Sequence, residues 1–181
     1  RSTKNPGHAK FHLDRMKLLM EQLGNPNLGV PAIHIAGTNG KGSTAAMITS
    51  VLTVAGYKTG LYTSPHLHSA VERIRVGLDP ISREDYALLV DLVWTAVQLV
   101  GSEGGFGPIS TFEAHTAMAF LHFMCIEADV QVLEVGERVQ GIRAIHRAVA
   151  IIVQVVAELG LGHLCLTDPT FFARAHVHAG A

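Results

Sequence analysis

The chain has 181 residues, 48% of them apolar and 16% charged, and its 14 basic and 15 acidic side chains give a formal charge of −1. That length suits one α/β domain with a substantial core, since domains commonly run about 100–150 residues. The balanced charge excludes a strongly basic, nucleic-acid-binding surface and leaves room for a local basic pocket that holds a small anion.

The N-terminus opens Arg-Ser-Thr-Lys-Asn-Pro-Gly-His, with no apolar stretch of the kind a signal peptide needs, and it starts at Arg1 rather than at a methionine. The most apolar late run, 148–157, is interrupted by Gln154 and falls short of the ~20 residues that span a bilayer. A soluble, cytoplasmic protein with no membrane or nucleic-acid partner is expected. Cys125 and Cys165 lie among apolar residues without metal-ligand spacing, so both are expected to be buried, reduced thiols.

In chain order, Leu13, Met16, Leu19, Met20 and Leu23 recur at helical spacing and predict an amphipathic helix over 11–23, stopped by Gly24-Asn25-Pro26. Ala32–Ala36 reads as a buried strand entering a glycine-rich turn. A helix from Lys41 to about Ala55 and a strand over 59–63 follow. Strand, glycine loop, helix, strand is the pattern of a parallel βαβ unit. Alternation over 71–81 around Gly77-Leu78-Asp79-Pro80 suggests a small hairpin. Ser82 with Asp85 three residues on marks the start of a helix to about Val100, and 101–108 reads as a glycine-rich loop. The segment 111–126 is apolar nearly all round, as a helix buried on most faces would be. The strand 130–135 then carries Glu134 at its end, and 150–156 is β-branched and strand-like. The fold class expected is α/β: a mostly parallel sheet flanked by helices, with a phosphate loop.

That loop is Gly37-Thr38-Asn39-Gly40-Lys41-Gly42-Ser43-Thr44. A nucleoside triphosphate needs many donors at close range. Backbone N–H groups of a glycine turn at a helix N-terminus supply them, and the helix dipole favours the anion. Lys41 can place a charge on the β- and γ-phosphates, and Ser43 or Thr44 can offer a hydroxyl to Mg²⁺. The spacing departs from G-x-x-x-x-G-K-[ST], which would need glycine at Ile35 and a hydroxyl residue at Gly42. Mg²⁺ usually takes only one or two carboxylates, and Glu134 is the candidate, because a parallel sheet would bring its strand end beside the loop. Glu84 and Asp85 read as helix N-terminal charges.

His34-Ile35-Ala36 with the loop resembles the folylpolyglutamate synthase/dihydrofolate synthase family, a branch of the Mur ligases. Leu13-Asp14-Arg15-Met16, Leu23-Gly24-Asn25-Pro26, Gly60–Leu67, Glu72–Val76, Pro80-Ile81-Ser82, Thr111-Phe112-Glu113 and Val132–Gly136 resemble it in order. The resemblance implies ATP-dependent formation of an acyl phosphate on dihydropteroate or a folate, followed by attack of L-glutamate. It implies Lys41 as the catalytic cation and Gly37 to Thr44 as the ATP site. It further implies Ser43, Ser64, Glu134 and His163 around Mg²⁺, and Ser64, Pro65, His66 and Arg73 beside the acid substrate.

Departures follow Gly136, where the family's glycine pair, arginine and Asp-Ala-Thr-Asn stretch are replaced by Glu137-Arg138-Val139-Gln140-Gly141. The family's Gly-Leu-Asp-His element has Gly160-Leu161-Gly162-His163 as its nearest counterpart. The expected organisation is an ATP-binding domain over 1–136 and, over 137–181, a divergent continuation or an irregular tail of the same domain. The family's C-terminal ligase domain is expected to be absent from this length. A non-catalytic nucleotide-binding remnant and a Mur ligase of cell-wall synthesis stay open as alternatives.

Overall fold

The computed structural model describes residues 13–37, 39–103, 107–134 and 150–154. Helix α1 (Leu13–Gln22) buries Leu19 and Met20 and ends at Gly24-Asn25, where Asn25 turns left-handed before a short 3₁₀ turn over Pro26–Leu28. Strand β1 (Ala32–Ala36) leads through the glycine loop into α2 (Lys41–Val54) and on to β2 (Thr59–Tyr62). A 3₁₀ turn (Ala70–Arg73), the hairpin β3 (Ile74–Val76) and β4 (Asp79–Pro80), the helices α3 (Arg83–Glu103) and α4 (Thr111–Cys125), and the strands β5 (Val130–Glu134) and β6 (Ala150–Gln154) follow.

Among the described residues six strands lie in the order β4-β3-β2-β5-β1-β6. β1 and β2 both run parallel to β5, while β3, β4 and β6 pair antiparallel at the edges. The parallel character expected from the βαβ pattern is thus concentrated in the central three strands.

Alternation along those strands separates two cores. Ile33, Ile35, Leu61 and Val132 pack with Ala45 of α2 on one face. Ala32, Tyr62 and Leu133 face the other way, into the larger cluster built with α1, α3 and α4. Gly60 on that second face admits the Phe123 ring so closely that a Cβ there would lie 2.5 Å from it.

Helix α4 starts at a capping box, with the Ser110 N–H donating to Glu113 Oε2 at 2.8 Å and the Glu113 N–H to Ser110 Oγ at 3.3 Å. The Glu113 carboxylate also receives Arg15 of α1, at 2.7 Å from Nη2 to Oε2 and 3.2 Å from Nε to Oε1, both side chains being nearly inaccessible to water. One buried ion pair therefore joins the first helix to the start of α4. Beside it, His115 Nδ1 lies 2.7 Å from the Thr111 carbonyl, which can only accept, so Nδ1 carries the proton and Nε2 accepts from the Tyr86 hydroxyl at 2.7 Å.

Two expectations are corrected. The glycine content predicts loop from Gly101, but α3 continues to Glu103: Val100 is buried against the core, and Ser102 Oγ donates to the carbonyls of Gln98 and Leu99. Cys125 is a free, exposed thiol rather than a buried one, because it occupies the last residue of α4, where the chain turns off towards Glu127. Cys165, His163 and the segments 135–149 and 155–181 lie outside the described residues. Among the described residues no helix is long and apolar enough to cross a membrane.

Candidate functional site

The parallel pairing decides what meets what. Ile35 of β1 is in register with Glu134 of β5, and Tyr62 of β2 with Leu133, so the three central strands end at one level. The glycine loop after β1, the Thr63-Ser64-Pro65 segment after β2 and Glu134 at the end of β5 converge there. This edge beyond the carboxyl ends of parallel strands is where open α/β sheets place ligands.

The loop enters α2 through Gly40 at φ 77°, a left-handed conformation that a side chain would oppose. Lys41 is the first residue of the helix and is buried, with Gly42 half-buried, Ser43 exposed and Thr44 half-buried behind it. A Cβ at Gly42 would sit 3.6 Å from Glu134 Oε2. The extra glycine after the lysine, which departs from the common phosphate-loop spacing, therefore keeps the first helical turn bare beside the carboxylate. The same Oε2 accepts the Ser64 backbone N–H at 3.1 Å. Glu134, Ser64 and the start of α2 are thereby brought into one cluster. Thr38 lies outside the described residues, as does His163.

The substrate-side candidates also meet. Arg73 Nε donates to His66 Nδ1 at 2.8 Å, and the Arg73 carbonyl accepts the Thr63 N–H at 3.0 Å. Pro65, joined to Ser64 by a cis peptide, is exposed between them.

Sequence reading missed a cavity of about 110 Å³ on the α4 side of the sheet, lined by His34, Tyr62, Phe112, Thr116 and Phe120 and bordered by Glu134. A signal was available: His34 and Thr116 are polar residues set in a buried strand and an apolar helix. Burial pulls the His34 imidazole below its usual value, and burial pushes the Tyr62 phenol up against the opposing hydrogen bonds of Thr116 and Arg73. Among the described residues no three His, Cys, Asp or Glu side chains gather as a metal site.

No family model matches the chain. The dihydrofolate synthase/folylpolyglutamate synthase of Mycobacterium tuberculosis is 45% identical over 130 residues, covering 68% of this chain and 27% of that relative. The folylpolyglutamate synthase of Lacticaseibacillus casei is 34% identical over 166 residues, covering 92% of this chain and 38% of that protein. A solved FPGS–AMPPCP–folate complex superposes with a TM-score of 0.67 at 36% identity, over 74% of this chain and 33% of its own. The chain thus spans well under half the length of the relatives it matches. From the loop, the acid-terminated strand and these matches, it belongs to the folylpolyglutamate synthase/dihydrofolate synthase family.

Proposed function

We propose that this chain carries the ATP- and Mg²⁺-binding part of a ligase that joins L-glutamate to the carboxylate of dihydropteroate or a folate. The observation that carries the reading is the convergence of Lys41, Gly42, Ser64 and Glu134 at the carboxyl ends of β1, β2 and β5. The solved complex holding AMPPCP and folate supports it.

Residues 37–44 wrap the phosphates with backbone N–H groups, and Lys41 neutralises charge that develops as the γ-phosphoryl group moves. The substrate carboxylate oxygen attacks the γ-phosphorus, the bond to the bridging oxygen breaks, and ADP leaves. The glutamate amine then attacks the acyl carbon, phosphate departs and the amine loses a proton. Phosphoryl transfer depends mainly on positioning and charge, which is what a loop of fixed N–H donors provides.

Mg²⁺ favours hard oxygen donors and keeps several waters. The Glu134 carboxylate and the hydroxyls of Ser43 and Ser64 fit it, since a carboxylate accepting one N–H retains further lone pairs. His163 is the fourth candidate from the sequence. Mg²⁺ would supply charge neutralisation of the triphosphate. Arg73, His66 and the Ser64-Pro65 segment border the acid, whose aromatic part would find an apolar neighbour in the cavity beside Tyr62 and Phe112.

Binding tests the acid half of the proposal directly. Dihydropteroate or tetrahydrofolate is titrated into the chain saturated with Mg²⁺ and AMPPCP, with fluorescence as readout. Saturable binding weakened by Arg73→Ala is expected. Folded, nucleotide-loaded protein that takes up neither acid would rule that half out.

A further inference from the structure

The segment between β2 and β3 carries Ser64, Pro65 and His66, yet it is exposed along Pro65–His68 and has little core of its own. One carboxylate gathers its second half. Glu72 accepts N–H bonds from Leu67 at 3.0 Å, His68 at 3.2 Å and Ser69 at 2.8 Å. A capping box at a short 3₁₀ turn explains the Ser69 bond alone. The bonds from Leu67 and His68 reach further back and fold the preceding segment over the same group. These bonds to an anion are charge-assisted, and those from Leu67 and Ser69 hold the Glu72 carboxyl below its usual range. Arg73, the next residue, secures His66 and Thr63. Residues 72 and 73 thus tie the segment at 63 and at 66 to 69, and Ser64 is left to meet Glu134.

We propose that Glu72 is a positioning residue for the metal–nucleotide site: by gathering the amides of Leu67, His68 and Ser69 it presents Ser64 to Glu134 and to the Mg²⁺ that they share. The proposal rests on the nucleotide reading above. The bonds that Glu72 accepts come from Leu67, His68 and Ser69, none of which belongs to the phosphate loop or to β5. Its loss therefore weakens the part of nucleotide affinity that Mg²⁺ supplies and spares the part that the loop supplies alone. Outer-shell partners of metal ligands typically carry 10–100-fold in metal affinity, and an exposed segment belongs at the low end, about tenfold.

The experiment compares the 181-residue chain with Glu72→Gln and Glu72→Asp. AMPPCP affinity is measured by calorimetry in EDTA and in Mg²⁺, and amide exchange at Leu67–Ser69 is followed by NMR. In Glu72→Gln the expected results are unchanged affinity in EDTA, a Mg²⁺ enhancement reduced about tenfold, and faster exchange at the three amides. Glu72→Asp, which keeps the charge one methylene shorter, restores part of both. Equal loss of affinity with and without Mg²⁺ would mark a merely structural role and overturn the proposal, as would a full Mg²⁺ enhancement in Glu72→Gln. A folded wild-type chain that binds no AMPPCP is a separate result, which overturns the nucleotide reading and this proposal with it.

Discussion

Replacing Arg15 by methionine keeps most of the aliphatic bulk and deletes the guanidinium that reaches Glu113. The carboxylate left behind has a side chain only 5% exposed. Breaking a buried pair from one side typically costs about 3–5 kcal/mol, because a charge stays in a poorly solvating site. Here Glu113 keeps hydrogen bonds from the Ser110 N–H at 2.8 Å and the Ser110 hydroxyl at 2.6 Å, which places the loss near the lower bound, about 3 kcal/mol. For a domain of this size that corresponds to a fall in Tm of roughly 10 °C. Urea unfolding followed by circular dichroism measures it. The double variant Arg15→Met/Glu113→Gln should be more stable than Arg15→Met, because glutamine removes the stranded charge and can still accept from Ser110. An Arg15→Met chain within about 0.5 kcal/mol of wild type would show that the pair does not join α1 to α4 in the way described.

Gly60→Ala would drive a methyl to 2.5 Å from the fully buried Phe123 ring, and overpacking of this kind costs about 1–3 kcal/mol, here towards the upper figure; chemical denaturation checks it. Glu134→Gln should keep an acceptor for the Ser64 N–H yet lose the Mg²⁺ enhancement of nucleotide binding by at least about tenfold, read by calorimetry with and without the metal. Burial lowers the His34, His115 and His122 imidazoles. Their neutral forms therefore stabilise the fold above the unfolded value of about 6.5, and that stability is lost as pH falls through their lower folded values. Among the described residues His122 Nε2 is buried without a hydrogen-bond partner, so His122→Leu should flatten the decline in stability between about pH 7 and pH 5. A decline as steep as wild type would show that His122 does not contribute to it.

The local units were legible because their signals are local. Ala32–Ala36 is bounded by a proline and a glycine, and Ser82 and Asp85 stand at the spacing of a helix start. The position of Glu134 beside the phosphate loop followed from one non-local rule, that parallel strands share an end. Other features depend on packing with no sequence period. Arg15 and Glu113 lie 98 residues apart, and nothing in either helix marks the other as partner. The gathering of three amides by Glu72 depends on the path of an exposed segment, where burial leaves no pattern to read. The exposed Cys125 and the longer α3 show how composition misleads at helix ends, where one apolar or glycine residue says little about which layer covers it.

The measurement closest to the central claim is calorimetric titration of AMPPCP into the folded chain, with and without Mg²⁺, alongside Lys41→Ala. The account predicts one saturable site, tighter with Mg²⁺ and lost in Lys41→Ala. Binding that is indifferent to both Mg²⁺ and Lys41, or no binding to folded protein, would contradict it.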